Sequence, residues 1–185
     1  MTDRLNVDNE MLERFREYLK LLVHSQLDSL LARQVDASDI VQQTMLNATA
    51  NATQFRGRSE VEFLSWLQQI LANNLIDARR YYGRAKRDVA RSRSLDKPIF
   101  ESFHRVDVLA QSCSTPSQHA VKSEQLLRLP AALSALSDTQ REAVVLHHLQ
   151  GLKLAETAKR MGKSESAVCG LLHRGLKRLH EILGD

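Results

Sequence analysis

Across the first half of the chain, apolar side chains recur every three or four positions. That spacing aligns them on one face of a helix, and a half-buried strand with its period of two cannot use it. Between Met11 and about Leu31 one such stripe is Leu12, Phe15, Leu19, Leu22 and Val23; a second is Ile40, Thr44 and Ala48; a third is Phe63, Leu67, Ile70, Leu71 and Leu75. Each needs a partner surface to cover it. Only 7 Gly and 3 Pro stand in 185 residues, and abundant Leu, Ala, Gln, Glu and Arg favour helix over strand. The expected fold class is all-α.

Local signals place several helix ends. Asp36 is an N-cap, with Asp39 in the first turn, for a helix over Ala37 to Ala50. After the turn Gln54-Phe55-Arg56-Gly57-Arg58, Ser59 and Glu62 have the spacing of a capping box. They open a helix from Val61 to about Tyr82, about 33 Å long at about 1.5 Å per residue. From Ser92 to about Ser123 the periodicity weakens, and Pro98, Pro116 and a Ser-rich stretch interrupt it, as a flexible linker would. The expected organisation is an N-terminal helical domain over 8–92, a linker over 93–123 and a C-terminal domain over 124–183.

That second domain carries the most specific pattern. Ser137 with Gln140 caps a helix that ends before Gly151. From Leu154 to His173, small Ala158 precedes Gly162 by four residues, and Val168 and Leu172 follow. Two short helices crossing closely through a glycine turn need that arrangement, a helix-turn-helix. The second of the pair, Ser164 to about Leu183, begins with hydroxyls Ser164 and Ser166 and continues into His173, Arg174, Lys177 and Arg178. Such a flank can hold phosphates while the N-terminal turn faces base edges.

Charge narrows the function classes. The window Arg79 to Arg93 holds seven bases against Asp88, a charge of +6 in a chain of formal net +4, so the remainder sums to −2. A charge run is commonly a solvated helix face, but Tyr81 and Tyr82 inside this one suit a surface that holds phosphates and stacks bases. On the long helix, Trp66, Ile70, Asn73, Asp77 and Arg80 form a stripe running toward the window. Core packing is the commoner role for a lone Trp; a mid-helix Asn needs a partner if buried. The face Asp39, Gln42, Gln43 and Asn47 is polar but poor in charge, so solvation and a protein contact both remain open. No apolar run approaches a spanning helix and the N-terminus lacks a signal-peptide core, so the expectation is a cytoplasmic protein without membrane insertion. Cys113 and Cys169 are far apart with no CxxC, and the histidines have no HExxH spacing. No catalytic residue, metal site or cofactor is expected.

Taken together, the segments DASDIVQQTML (Asp36 to Leu46), QFRG (Gln54 to Gly57), FLSWLQQILANNLIDARR (Phe63 to Arg80) and Leu129 to Leu179 resemble a bacterial RNA polymerase sigma factor of the small, two-domain extracytoplasmic-function class. The resemblance implies contact of Asp36, Asp39, Gln42 and Gln43 with a coiled coil of the core polymerase. It also implies that Phe55, Arg56, Arg58, Ser59, Trp66 and Asn73 open the minus-ten promoter element and hold an extruded base, with Arg79, Arg80 and Arg84 on the strand backbone. Lys163, Ser164, Ser166, His173, Arg174, Lys177 and Arg178 would read the minus-thirty-five element. An anti-sigma protein is a further partner of this class.

Two departures stand out. Gln43 replaces a Glu common in the family, which turns a charge-assisted contact into a neutral one, roughly half as strong. Cys169, Gly170 and Leu171 stand where a Lys or Arg is usual and cannot make the bidentate guanine contacts worth about 1–3 kcal/mol each. Gly170, costing about 1 kcal/mol of helix propensity, suggests a close approach to DNA or to a neighbouring helix. Two other readings compete with a sigma factor: an autonomous helix-turn-helix regulator, which leaves the first-half motifs without a reason, and a sigma-like interaction protein that does not initiate.

Overall fold

A computed structural model describes residues 8–26, 35–83, 96–113 and 122–184. Among them there are nine α-helices and no strand: α1 (Asn9–Arg14), α2 (Arg16–Gln26), α3 (Ala37–Ala50), α4 (Glu60–Gly83), α5 (Asp96–Ser112), α6 (Lys122–Ser134), α7 (Asp138–Val144), α8 (Leu154–Met161) and α9 (Glu165–Leu183). The chain divides into two compact units, Met1–Glu101 and Ser102–Asp185.

In the first unit the expected stripes meet. Phe15, Leu19, Leu22 and Val23 on α2 and its approach, Val41 on α3, and Phe63, Leu67, Leu71 and Leu75 on α4 are all fully buried. The continuous helix expected from Met11 is broken at Phe15, whose N–H bonds the Leu12 carbonyl at 3.1 Å in a tighter turn; the end of that expected helix, Leu27 to Leu31, lies outside the described residues. Asp36 caps α3 as expected, accepting from Ser38 N at 2.8 Å. The Ser59–Glu62 box forms at the start of α4: Glu62 Oε2 accepts from Ser59 N at 3.3 Å and Arg58 N at 2.6 Å, and Ser59 Oγ accepts from Glu62 N. These backbone donors hold the Glu62 carboxyl below its ordinary pKa.

The stretch expected to be a linker carries α5. Its apolar residues Ile99, Phe103, Val106 and Ala110 are buried, a spacing of four, three and four. Pro98, expected to break structure, lies in the first turn of α5, where a missing N–H is harmless. Pro116 lies outside the described residues.

In the second unit, α7 runs into a π-helical turn, Val145–Leu149. Its last carbonyl finds two partners on α5: Leu149 O accepts from Ser102 Oγ and from Arg105 Nε, each at 3.1 Å. Gly151 leaves the turn at φ +75°, and a Cβ there would lie 3.1 Å from the Arg105 guanidinium. Burial and the adjacent His147 both push the His148 imidazole below its ordinary pKa. Helix α9 lies closely on α7: a Cβ at Gly175 would come within 3.1 Å of Val144 Cγ2, and Val144 is fully buried.

Candidate functional site

Three exposed surfaces carry the residues singled out by sequence. On α3, Asp39, Gln42 and Gln43 are exposed on the face away from buried Ile40, Val41 and Thr44. Leu46 joins them at 55% exposure, a large apolar side chain outside the core. Gln42 Oε1 accepts from Arg16 Nη1 at 3.3 Å, and Arg16 is itself held by two hydrogen bonds to the Glu13 carboxylate. Gln43 Nε2 donates to Asn47 Oδ1 at 2.9 Å. The Asp36 carboxylate serves its own helix as the cap.

The second surface lies where the Phe55 turn meets α4. Phe55 is nearly buried, with its ring centroid 5.4 Å from that of Phe63 and 5.3 Å from that of Trp66. Trp66 is half-buried and in tilted contact with both rings, its centroid 5.8 Å from that of Phe63, so its indole is a supported ledge that stays partly exposed. Farther along α4, Gln69 Nε2 donates to Asn73 Oδ1 at 3.4 Å, and both residues are exposed. Asn73 therefore has no buried partner to satisfy. Asp77 and Arg80 follow 3.7 Å apart, and Tyr81 is 71% exposed. Arg56 and Arg58 flank the ledge, both exposed, with Arg56 Nη1 bonded to Thr53 O at 3.0 Å.

Arg79 departs from expectation. Its Nη2 donates to Gln26 O at 2.9 Å and Gln26 Oε1 at 3.2 Å, and Gln26 is buried. The guanidinium ties the end of α2 to α4, because an unpaired carbonyl at a helix C-terminus is a good site for a cation. Its Nη2 is committed to the fold. Arg84 and the rest of the basic window lie outside the described residues.

The third surface is the expected helix-turn-helix. Gly162 ends α8 at φ +63°; its N–H bonds Lys159 O at 3.4 Å, and Lys163 N bonds Ala158 O at 3.0 Å, a Schellman closure. Thr157, Ala158, Val168 and Leu172 are buried at the crossing. Ser164 Oγ accepts from Ala167 N at 3.2 Å, so this hydroxyl is the cap of α9, and Ser166 Oγ lies 3.1 Å away. Lys163, Ser166, His173, Arg174, Lys177 and Arg178 are exposed, with Arg178 paired to Glu181 at 2.9 Å. The groups nearest to a Cβ at Gly170 would be those of the Arg174 guanidinium, with Nη1 at 3.3 Å. Among the described residues no group of three or more His, Cys, Asp or Glu is gathered as a metal would need, and no helix is long and apolar enough to cross a membrane.

Residues 14–85 match the Sigma-70 region 2 family model, and residues 126–179 match Sigma-70, region 4. The ECF RNA polymerase sigma factor SigX of Bacillus subtilis is 32% identical over 143 residues, covering 77% of this chain and 68% of the relative. The chain belongs to the sigma-70 family. SigD of Mycobacterium tuberculosis, also an ECF RNA polymerase sigma factor, aligns over 95% of this chain and 76% of its own length at 26% identity. RNA polymerase sigma factor CarQ of Myxococcus xanthus is 32% identical over 153 residues, 80% of this chain and 75% of the relative. This chain is an alternative sigma factor of the ECF class, which directs promoter recognition and transcription initiation. Membership implies partners in core RNA polymerase and promoter DNA.

In this sigma factor the exposed α3 face, the Phe55–Trp66 ledge and α4 fall within the region 2 match, and the helix-turn-helix within region 4. Sequence reasoning missed Leu46 as part of the α3 face and Asn74 on α4, whose Oδ1 accepts from Asn47 Nδ2 at 3.0 Å; an apolar residue opposite the buried stripe was the available signal for the first. Arg79→Met keeps the aliphatic stem and removes the clamp on Gln26. We expect a loss of about 2 kcal/mol, the scale of hydrogen bonds to a charged group, read by urea denaturation. The salt dependence of strand binding should stay as in the parent chain.

Proposed function

We propose that this sigma factor divides its work among the three surfaces. Residues 8–92 dock on core RNA polymerase through Asp39, Gln42, Gln43 and Leu46 and open the minus-ten element at the Phe55–Trp66 ledge. Residues 124–183 read the minus-thirty-five element with α9, and 93–123 join the two. Opening needs no chemical step by this chain. An unstacked base costs a few kcal/mol, which stacking on an aromatic surface and neutralised phosphates offset. The observation that carries this reading is the ledge itself: a half-buried indole in contact with two phenylalanine rings, with Arg56 and Arg58 exposed on the adjoining turn and Asn73 and Arg80 exposed farther along α4. Such a protein works in the cytoplasm, and an anti-sigma protein able to cover the α3 face is the regulator that suits it.

The test is run-off transcription with reconstituted core enzyme, joined to the salt dependence of holoenzyme binding to a non-template single strand. About five phosphate contacts from the basic window give a slope of log K on log salt near −3.5. Replacing Arg80 and Arg84 by Gln should make that slope shallower by about 1.4. A slope indifferent to both replacements would refute the assignment of strand contacts.

A further inference from the structure

Four polar side chains on α3 and α4 are joined end to end, from a buried hydroxyl to an exposed amide. Thr44 is fully buried, and its hydroxyl donates to Ile40 O, one turn back, at 2.8 Å. A hydroxyl has one hydrogen, so toward Asn74 the same oxygen accepts, and Asn74 Nδ2 donates to it at 2.9 Å. That turns Asn74 Oδ1 toward Asn47, whose Nδ2 donates to it at 3.0 Å. Asn47 Oδ1 then faces Gln43, and Gln43 Nε2 donates to it at 2.9 Å. Run in reverse, with Thr44 donating to Asn74, the chain would make three bonds in place of these four, because Ile40 O loses its hydroxyl partner. The forward direction is the more stable by that bond.

The consequence falls on Gln43, exposed beside Asp39, Gln42 and Leu46. With its nitrogen held against Asn47, its carbonyl oxygen is left as the acceptor for a partner. Gln42 is turned the other way, since its own oxygen accepts from Arg16 and its amide nitrogen remains to donate. Resting on the reading of α3 as the polymerase-docking face, we propose that Thr44, Asn74 and Asn47 are positioning residues that fix Gln43 as a hydrogen-bond acceptor. The polymerase group that meets it is a donor, an arginine or lysine side chain. A locked amide then offers the acceptor a carboxylate would offer, without the charge.

The test is a thermodynamic cycle on the full chain, read as equilibrium affinity for core RNA polymerase. Asn47→Leu keeps the branched outline, removes the bridge and frees Gln43 to turn; fixing one flexible side chain corresponds to roughly three- to tenfold in affinity, and a loss of that size is expected. In a Gln43→Glu background the same change should cost less than about twofold, because a carboxylate presents an acceptor whichever way it turns. Gln43→Glu alone should bind at least as well as the parent. Asn47→Asp still accepts from Gln43 Nε2, with Asn74 reversed behind it, and should stay within about twofold of the parent. Equal losses in both backgrounds would mean that Asn47 supports only the fold and would overturn the proposal, as would a roughly tenfold loss, about 1.4 kcal/mol, in Gln43→Glu or Asn47→Asp. Asp39→Arg reports on the docking reading separately. If it binds like the parent, α3 is not the docking face and both ideas fall; if it loses binding while the cycle is additive, docking stands and the relay alone is overturned.

Discussion

A Gly57→Ala chain is expected to lose about 3 kcal/mol of stability, close to the cost of removing a buried phenylalanine from its site, and to shift its tryptophan emission to the red. A Cβ on Gly57 would stand 2.7 Å from Phe55 Cε2 and 3.0 Å from Glu62 Cβ. Glu62 cannot give way easily, since its carboxylate holds the N–H groups of Arg58 and Ser59. The Phe55 ring must leave instead, and with it go its edge contact to Phe63 and its tilted contact to Trp66. The chain has one tryptophan, so the emission maximum reports that ledge alone. Chemical denaturation measures the loss, and permanganate footprinting of the open complex measures its effect on strand opening, which should fall with it. An unshifted emission spectrum with unchanged stability would mean that Phe55 does not support the indole.

The second large effect is expected from Gly175→Leu, and its contrast with Gly170→Leu on the same helix makes it diagnostic. At 175 a side chain would be driven into Val144, fully buried on α7, and toward the Gln140 backbone. Overpacking of that kind costs about 3 kcal/mol or more, and the second unit should lose both its helical melting transition and its duplex binding. At 170 the nearest atoms to the added Cβ belong to the Arg174 guanidinium, the far end of a flexible side chain. The helix should gain up to about 1 kcal/mol of propensity, while the displaced Arg174 alters binding to the upstream element. Circular dichroism melts and promoter titrations of both variants separate the two roles. If Gly170→Leu unfolds the unit and Gly175→Leu does not, the crossing of α7 and α9 has been misplaced.

That contrast also marks where sequence runs out. Gly170 was legible as an anomaly; the groups nearest to a Cβ there belong to Arg174 on its own helix and not to a neighbouring helix. Gly175, the glycine that permits the helix crossing, gives no local signal because its partner Val144 lies on another element. Signals that depend on a few adjacent residues were readable. The Asp36 cap, the Ser59–Glu62 box, the α3 bounds and the Gly162 turn all formed as expected. Signals that depend on remote partners were not. Charge counting cannot tell that Arg79 turns inward to Gln26, 53 residues away, or that Asn47 and Asn74 meet across 27. The α5 stripe was present in the sequence but masked by Pro98, whose position within the first turn only the fold reveals.

The turn between α8 and α9 is closed by backbone groups, the Lys163 N–H on Ala158 O and the Gly162 N–H on Lys159 O. No side chain at 163 takes part in that closure, and the Lys163 side chain stands in solvent. The angle at which α9 is presented is thus insulated from the letters it presents. If α9 reads the promoter as proposed, drift at 163, 166 and 173 retargets the unit without its shape having to re-evolve.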